Sequence, residues 1–454
     1  GQPRAITDAT GTRTFEHDIA APWRLTQEVL PSFYGGRRLA AVYEEANGTP
    51  AGATALSGHV LASVKGRGAG FRLGANPTAS SFDLEMIRSI ADTGRIAGIS
   101  HRRANGVAAR EFAYGYEPAP SGAPSSLVRT VTAAGSGWSL TRMFDPVHDV
   151  PTAVETRWNG VIQSRHAYQY NAVALRDTAV QTGEAFADVG ATYQRLTYGS
   201  RGELRSAYGY AGSDPGSTAR PLASRLHDYT HDAAGNRLTA NPSGDPALRD
   251  DFTADALNRL RQRENNALFV AGTVSASPGV RVAVSGSAPA GPGSEVEAGR
   301  AGGHWGTGIV VNNLTAPFLG TVTAFAVLPG GGLGGADLVR RESRDFFLPP
   351  AVQSFAYDED GNLTSDGIWD YAWDAENRLV RMSATAVSVA AGRPALTLSF
   401  QYDHLGRRVR KEVRSGAGLT PVSERRYVYD GWNVVAELDG TAAIRRPFAW
   451  GLDL

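Results

Sequence analysis

Apolar residues in this chain alternate with polar ones far more often than they recur at helical spacing. Period-two runs are plain at Phe112-Ala113-Tyr114-Gly115-Tyr116, Val280-Arg281-Val282-Ala283-Val284, Val322-Thr323-Ala324-Phe325-Ala326-Val327 and Arg426-Tyr427-Val428-Tyr429. Alternation of this kind predicts strands with one buried face. Phe82 to Ile90 (FDLEMIRSI) fits a short helix or a strand, and its neighbours favour a strand. The most informative stretch is Phe355 to Met382, which carries one small unit twice. Each copy is an aromatic alternation (Phe355, Tyr357; Tyr371, Trp373), then Asp358-Glu359-Asp360-Gly361 or Asp374-Ala375-Glu376-Asn377, then a polar and an aliphatic residue (Asn362, Leu363; Arg378, Leu379). The unit predicts strand, tight turn and returning strand. Asp at the first turn position accepts backbone N–H bonds, and Gly or Asn at the fourth tolerates positive φ.

A lone hairpin of this type is marginal in water, so its repetition carries the information. Further copies are Asp8–Gly11, Asp232–Gly235 before Asn236, Arg237 and Leu238, Asp255–Asn258 before Arg259 and Leu260, Asp403–Gly406 after Phe400 and Tyr402, and Asp430–Asn433 after Tyr427 and Tyr429. Tyr198 to Leu204 keeps the outline with Gly199 in place of Asp, and Tyr168-Gln169-Tyr170-Asn171 is a more degenerate copy. The candidate structural residues are therefore Asp232, Gly235, Asp255, Asn258, Tyr357, Asp358, Gly361, Trp373, Asp374, Asn377, Tyr402, Asp403, Gly406, Tyr429, Asp430 and Asn433. Their spacing is uneven, which favours hairpins of variable length in one winding sheet over a strict solenoid. Composition shifts at Asn265–Asn266: up to Pro350 the repeat unit is missing, and short alternating runs are punctuated by Gly and Pro. The expected organisation is a repeat region over 1–265 (irregular before about 165), an inserted small β-sandwich over 266–350, and a second repeat region over 351–454.

Composition narrows the functions available. In 454 residues there are 53 Gly and 24 Pro, and 45 basic residues balance 45 acidic ones. Net neutrality gives no electrostatic footprint for nucleic acid. With no cysteine, disulfides, Cys-ligated zinc and a thiol nucleophile are excluded. No apolar run is long enough for a membrane-spanning helix. The chain begins at Gly1 rather than Met and stops at Leu454 in mid-pattern, so it is expected to be a piece of a longer polypeptide.

Candidate chemistry has a structural explanation in each case. Asp358-Glu359-Asp360-Gly361-Asn362, with Asp366 and Asp370, resembles a calcium loop, but Gly falls at the fourth position and the other copies lack the second acid. His227 and His231 would share a helix face as zinc ligands, yet they lie in a repeat strand. The glycines of Lys65-Gly66-Arg67-Gly68-Ala69-Gly70 precede no Walker Lys-Ser/Thr pair and read as a turn or bulge. No Ser sits in a nucleophile elbow. The repeat aromatics could stack on carbohydrate, but packing of the sheet accounts for them. The expectation is no enzyme, no catalytic residue, no cofactor and no metal site.

The repeated Tyr-Asp-x-x-Gly-Asn/Arg-Leu unit resembles the YD repeat of Rhs proteins, with relatives in the shells of insecticidal Tc toxins and in teneurins. The resemblance is clearest over Tyr357–Asp453 and Tyr229–Leu260, and the final YVYDGWNVVAELDG…RRPFAWGLDL looks like the start of the Rhs-associated core. It implies an all-β fold in which YD-repeat hairpins wind into a shell or barrel-like sheet. It also implies a secreted or cell-surface protein whose partner is its own C-terminal toxin polypeptide, outside this chain, with surface glycans or secretion machinery as further partners and no nucleic acid or membrane span. The self-cleavage motif of that family would lie beyond Leu454, and Asp453 matches no catalytic position. The alternative is a cell-surface adhesin or carbohydrate-binding module.

Overall fold

The computed structural model describes residues 3–19, 24–44, 50–52, 68–91, 95–104, 110–118, 124–265, 267–275, 281–288, 291–292, 296–416, 418 and 421–452. Residues 65–67, Val280 and Asp453, singled out above, lie outside them. Strands dominate the described residues, and the single α-helix among them is short, Ala386–Ala390, capped by the Thr385 side chain. The chain is all-β, as its alternation implies. No helix among the described residues is long and apolar enough to cross a membrane.

The chain divides into two compact units. The first comprises Gly1–Thr141, Trp373–Met382 and Leu396–Leu454. Its N-terminal part is an antiparallel ladder in which Ala5–Asp8 pairs with Gly11–His17, that strand with Leu25–Val29, and that with Arg38–Glu44. Pairing continues through Gly68–Gly74, Leu84–Ile90, Ile96–Arg103, Arg110–Pro118 and Pro124–Ala133. The ambiguous FDLEMIRSI segment is thus a strand. Leu84 and Met86 enter the core, and on the opposite face Glu85, fully buried, accepts from Arg72 Nε at 2.6 Å and Arg102 Nε at 2.6 Å. In a helix, at about 100° per residue, Leu84 and Met86 would instead point to opposite sides.

The C-terminal part of this unit is a second ladder, Leu396–Tyr402, Arg408–Ser415, Ser423–Asp430, Asn433–Asp439 and Ile444–Pro447. The two ladders share one core. Leu30, Tyr34, Leu39, Phe71, Leu73 and Met86 pack with Val409, Val428, Val435, Ala436 and Leu438. Arg37 Nη1 donates to the Ala442 carbonyl at 2.6 Å across 405 residues of sequence, and Arg426 donates to the Phe33 carbonyl and lies over its ring. Each buried aliphatic or aromatic side chain here is worth about 1.5–3 kcal/mol of transfer free energy, so remote ends of the sequence hold each other in place.

The second unit comprises Arg142–Ala372 and Ser383–Ala395. Its repeat ladder runs from Pro151–Trp158 through Val161–Tyr170, Arg176–Thr182, Thr192–Tyr198, Leu204–Ala211, Pro221–His231, Arg237–Asn241 and Asp250–Ala254 to Leu260–Glu264. Leu260–Glu264 then pairs with Val352–Ser354, although most of a hundred residues intervene. Those residues form a three-stranded sheet (Ala267–Thr273, His304–Val310, Gly299–Ala301) and a five-stranded sheet built on Arg281–Ala288, Phe318–Leu328 and Leu338–Leu348. Ala298, Trp305 and Val322, with Val270, Ile309, Ala324 and Phe346, fill the space between the two sheets.

This inserted body is tied down at its root and along one face. Asn265 N–H donates to the Ala351 carbonyl at 2.8 Å, so the chain leaves and re-enters at adjacent points. Buried Asn313 spans them: its Nδ2 donates to the Asn265 carbonyl at 3.1 Å and the Pro349 carbonyl at 2.8 Å, and its own carbonyl accepts from Ala351 N–H at 2.8 Å. Glycines let the three-stranded sheet approach the repeat strand Pro221–His231. A Cβ on Gly306 would stand 3.1 Å from Ser224 N, and one on Gly303 would stand 2.5 Å from Val189 Cα. Gly303 N–H donates to the Val189 carbonyl at 2.9 Å.

Candidate functional site

The turns of the repeats are the most regular chemical feature of the molecule. At Asp374 the backbone closes twice, with Asp374 N–H donating to the Arg378 carbonyl at 3.0 Å and Asn377 N–H donating to the Asp374 carbonyl at 3.0 Å. The carboxylate fills the turn: Oδ1 accepts from Glu376 N–H at 2.9 Å and Arg378 N–H at 3.0 Å, and Oδ2 accepts from Arg378 Nε at 2.8 Å. The same set of bonds recurs at Asp255 with Asn258 and Arg259, and at Asp403 with Gly406 and Arg407. At Asp232 and Asp358 a following Asn (Asn236, Asn362) replaces Arg as the side-chain donor. The fourth residue is left-handed each time: Gly235 (φ 94°), Asn258 (60°), Gly361 (87°), Asn377 (57°) and Gly406 (76°). That backbone favours Gly and Asn over residues with a bulky Cβ. The Asp232 and Asp255 carboxylates are held below their usual range, the first chiefly by the Asn236 side chain and the second chiefly by the Arg259 amide.

Four turns depart from the motif in instructive ways. Asp430 and Asn433 form the closing pair of a two-residue hairpin, and the left-handed residue is Gly431 (φ 57°), so Asn433 begins the returning strand. At Gly199 the carboxylate comes from the far side of the turn, where Glu203 accepts from Arg201 N–H at 3.1 Å. Asp439 builds the same turn unrecognised in the sequence, because Ala442 (φ 64°) occupies the fourth position; Oδ1 still accepts from Thr441 and Ala443 N–H at 3.0 Å each. Asn171 is its neutral counterpart, with Ala174 at φ 59° and Oδ1 accepting from Val173 and Leu175 N–H.

Several turns are locked to a preceding one through a tyrosine, whereas at the Asp374 turn the Tyr371 hydroxyl donates to the Asp366 carboxylate five residues back. The Tyr402 hydroxyl donates to the Leu379 carbonyl at 2.8 Å, and the Arg378 guanidinium lies 5.2 Å over its ring. Tyr429 repeats this with the Arg408 carbonyl (2.8 Å) and Arg407 (4.8 Å), and Tyr357 with the Leu260 carbonyl (2.8 Å) and Arg259 (4.8 Å). The irregular N-terminal region uses the same device: Tyr116 with the Ile96 carbonyl and Arg95, and Tyr43 with the Leu25 carbonyl and Arg24. The hydroxyl ordinarily reaches back 18 to 23 residues; for Tyr357 the separation is 97, the excess being the inserted body. The lock therefore counts repeats and ignores the insert.

The other candidates have local roles. Both carboxylate oxygens of Asp358 are engaged by Asn362. His227 is half-buried and stacks on Tyr229 within its strand, ring centroids 6.5 Å apart, and burial pushes its imidazole down. Among the described residues no group of three or more His, Asp and Glu side chains is placed to hold a metal ion. A buried polar joint that alternation does not reveal ties the N-terminal hairpin to the Asp403 turn: Asp8 accepts from Thr10 N–H at 2.9 Å and faces Arg13 and His404, Arg13 pairs with Glu28, and Arg407 pairs with Asp403 at 2.6 Å. Burial raises the Glu28 carboxyl above its ordinary value, whereas at Asp8 burial is outweighed by Thr10 and Arg13.

No protein-family model matches the chain. Over 101 residues, 22% of its length, it is 34% identical to the tRNA3(Ser)-specific nuclease WapA of Bacillus spizizenii and to the tRNA nuclease WapA of Bacillus subtilis, and it spans 4% of the length of each. Among solved structures, similar chains occur in TcdB2-TccC3-Cdc42 (11% identity, TM-score 0.35, covering 98% of this chain and 24% of that one) and in the Photorhabdus luminescens Tc holotoxin pore (12%, 0.35, 97% and 21%).

Proposed function

We propose that this chain is a wall segment of an Rhs-type, toxin-related protein, secreted or at the cell surface, whose YD repeats enclose a C-terminal polypeptide lying outside this chain. The observation that carries the reading is the tyrosine–arginine lock between successive turns, kept in register across the insert from Leu260 to Tyr357. Such a lock suits a wall built by adding repeats: a repeat that carries Arg after its turn presents the carbonyl and the guanidinium that the next tyrosine needs. The partial similarity to the WapA nucleases supports the toxin-related context; their nuclease activity belongs to them and is not carried over to these residues. On this reading the chain contributes containment and no catalysis. Continuous pairing also keeps strand edges from templating aggregation.

The test is protease protection of the downstream polypeptide in the full-length protein. The expected result is that a C-terminal polypeptide resists a protease that digests it once the wall is denatured. Cleavage of that polypeptide at equal rates with the wall native and denatured would overturn the reading.

A further inference from the structure

We propose that the inserted body pairs with a second copy of this chain, the two Leu338–Leu348 strands joining antiparallel about a two-fold axis at Ser343. Among the described residues this strand pairs on one side only, with Phe318–Leu328. Its other edge therefore leaves backbone N–H and C=O groups open along a strand of 11 residues. From Leu338 to Asp345 every residue is exposed, whichever face of the sheet it lies on. An accessible edge of this length is a template for another strand.

Which strand it fits is written in its own residues, LVRRESRDFFL. Two identical strands joined antiparallel by a two-fold axis normal to the sheet set one residue opposite itself. Each residue before it then faces the residue equally far after it. With the midpoint, Ser343, on the axis, Glu342 faces Arg344 of the second copy and Arg341 faces its Asp345. The symmetry makes each contact twice, all between opposite charges. Further out, Arg340 faces Phe346 and Val339 faces Phe347, a cation over a ring and an apolar pair. An axis at Arg341, Glu342, Arg344 or Asp345 would instead set that charge against its own copy. Unlike charges directly opposite each other stabilise paired strands and like charges destabilise them. One register is thereby selected.

Charged residues on an edge strand can also serve to block pairing. A blocking arrangement would place like charges together in the centred register, and here that register is free of them. The two carboxylates keep capacity for a second donor. Arg344 Nε donates to Glu342 at 2.9 Å and the Thr321 hydroxyl to Asp345 at 2.7 Å, whereas a carboxylate has about four lone-pair sites. This inference concerns the inserted body alone and stands apart from the enclosing role of the repeats.

The chain has no cysteine, so single introduced cysteines report the register. On mild oxidation of the full chain, Ser343→Cys should be trapped as a disulfide dimer, because opposed Cα atoms lie about 4.5–5.5 Å apart, within disulfide reach. Arg341→Cys alone and Asp345→Cys alone should stay monomeric, their own copies standing about 14 Å apart, and the two should crosslink when mixed. Sedimentation equilibrium of the unmodified chain should show a concentration-dependent dimer. Arg341→Glu should weaken it about tenfold, and adding Asp345→Arg should restore it. Both positions are exposed, so folding is not at stake. A monomer at every concentration, trapping of Asp345→Cys alone as efficient as that of Ser343→Cys, or a dimer indifferent to Arg341→Glu would overturn the proposal.

Discussion

Ala174 and Ala442 occupy left-handed backbone where the other turns have Gly or Asn, and they show how far single residues decide the repeat. A methyl group at positive φ costs about 1–2 kcal/mol, partly offset by the greater unfolded-state freedom of glycine. Ala174→Gly should therefore stabilise the chain by about 1 kcal/mol, read as a higher denaturant midpoint. Ala442→Gly should gain less, because the Ala442 methyl is buried in the core beside Leu438. The carboxylates divide in the same way. Asp403 is 1% exposed and paired with buried Arg407, so Asp403→Ala leaves a buried guanidinium unpaired and should cost about 3–5 kcal/mol. Asp374→Ala removes the same bonds at the surface and should shift the midpoint much less. At this scale the sequence is legible where the fourth residue is Gly or Asn. It is silent at Asp439, where tertiary packing of Ala442 overrides the backbone preference, and misleading at Asn433, where Gly431 shortens the turn.

The lock between hairpins belongs to the element scale. Tyr402→Phe removes one hydroxyl bond and should cost about 1 kcal/mol, whereas Arg378→Ala removes both the ring contact and the Asp374 pairing and should cost more. The tyrosines also set an alkaline limit. Burial raises Tyr43, Tyr116, Tyr357, Tyr402 and Tyr429 above the ordinary phenol value. A raised folded-state pKa contributes stability that is complete below the unfolded value and is lost as pH rises through the folded one. Stability should therefore fall steeply above about pH 10, with tyrosinate absorbance and strand circular dichroism changing together; ionisation of these tyrosines with the strands intact would contradict the lock. The sequence shows each tyrosine beside its turn. It cannot show the carbonyl that the hydroxyl reaches, because hairpin length and the insert set that separation.

At the scale of the molecule, the insert and the shared core separate what pattern reveals from what only packing reveals. The shift at Asn265 and the return at Pro349 mark a segment that leaves and re-enters at one point, held by Asn313. Replacing 266–350 by a short glycine linker should preserve the pairing of Leu260–Glu264 with Val352–Ser354 and the Tyr357 bond, detectable as unchanged amide protection there. Asn313→Ala in the intact chain should loosen the insert and leave the repeats in place. The core joining Phe71 and Met86 to Val428 and Leu438 left no local trace in the sequence, since alternation tells which face is buried and not what covers it. The central claim is that such repeats enclose a polypeptide, and the most direct measurement is a single-particle reconstruction of the full-length protein. The account predicts repeat sheets bounding a lumen that contains density from the C-terminal polypeptide. A C-terminal module resolved outside the repeat wall, with the lumen filled by solvent, would contradict it.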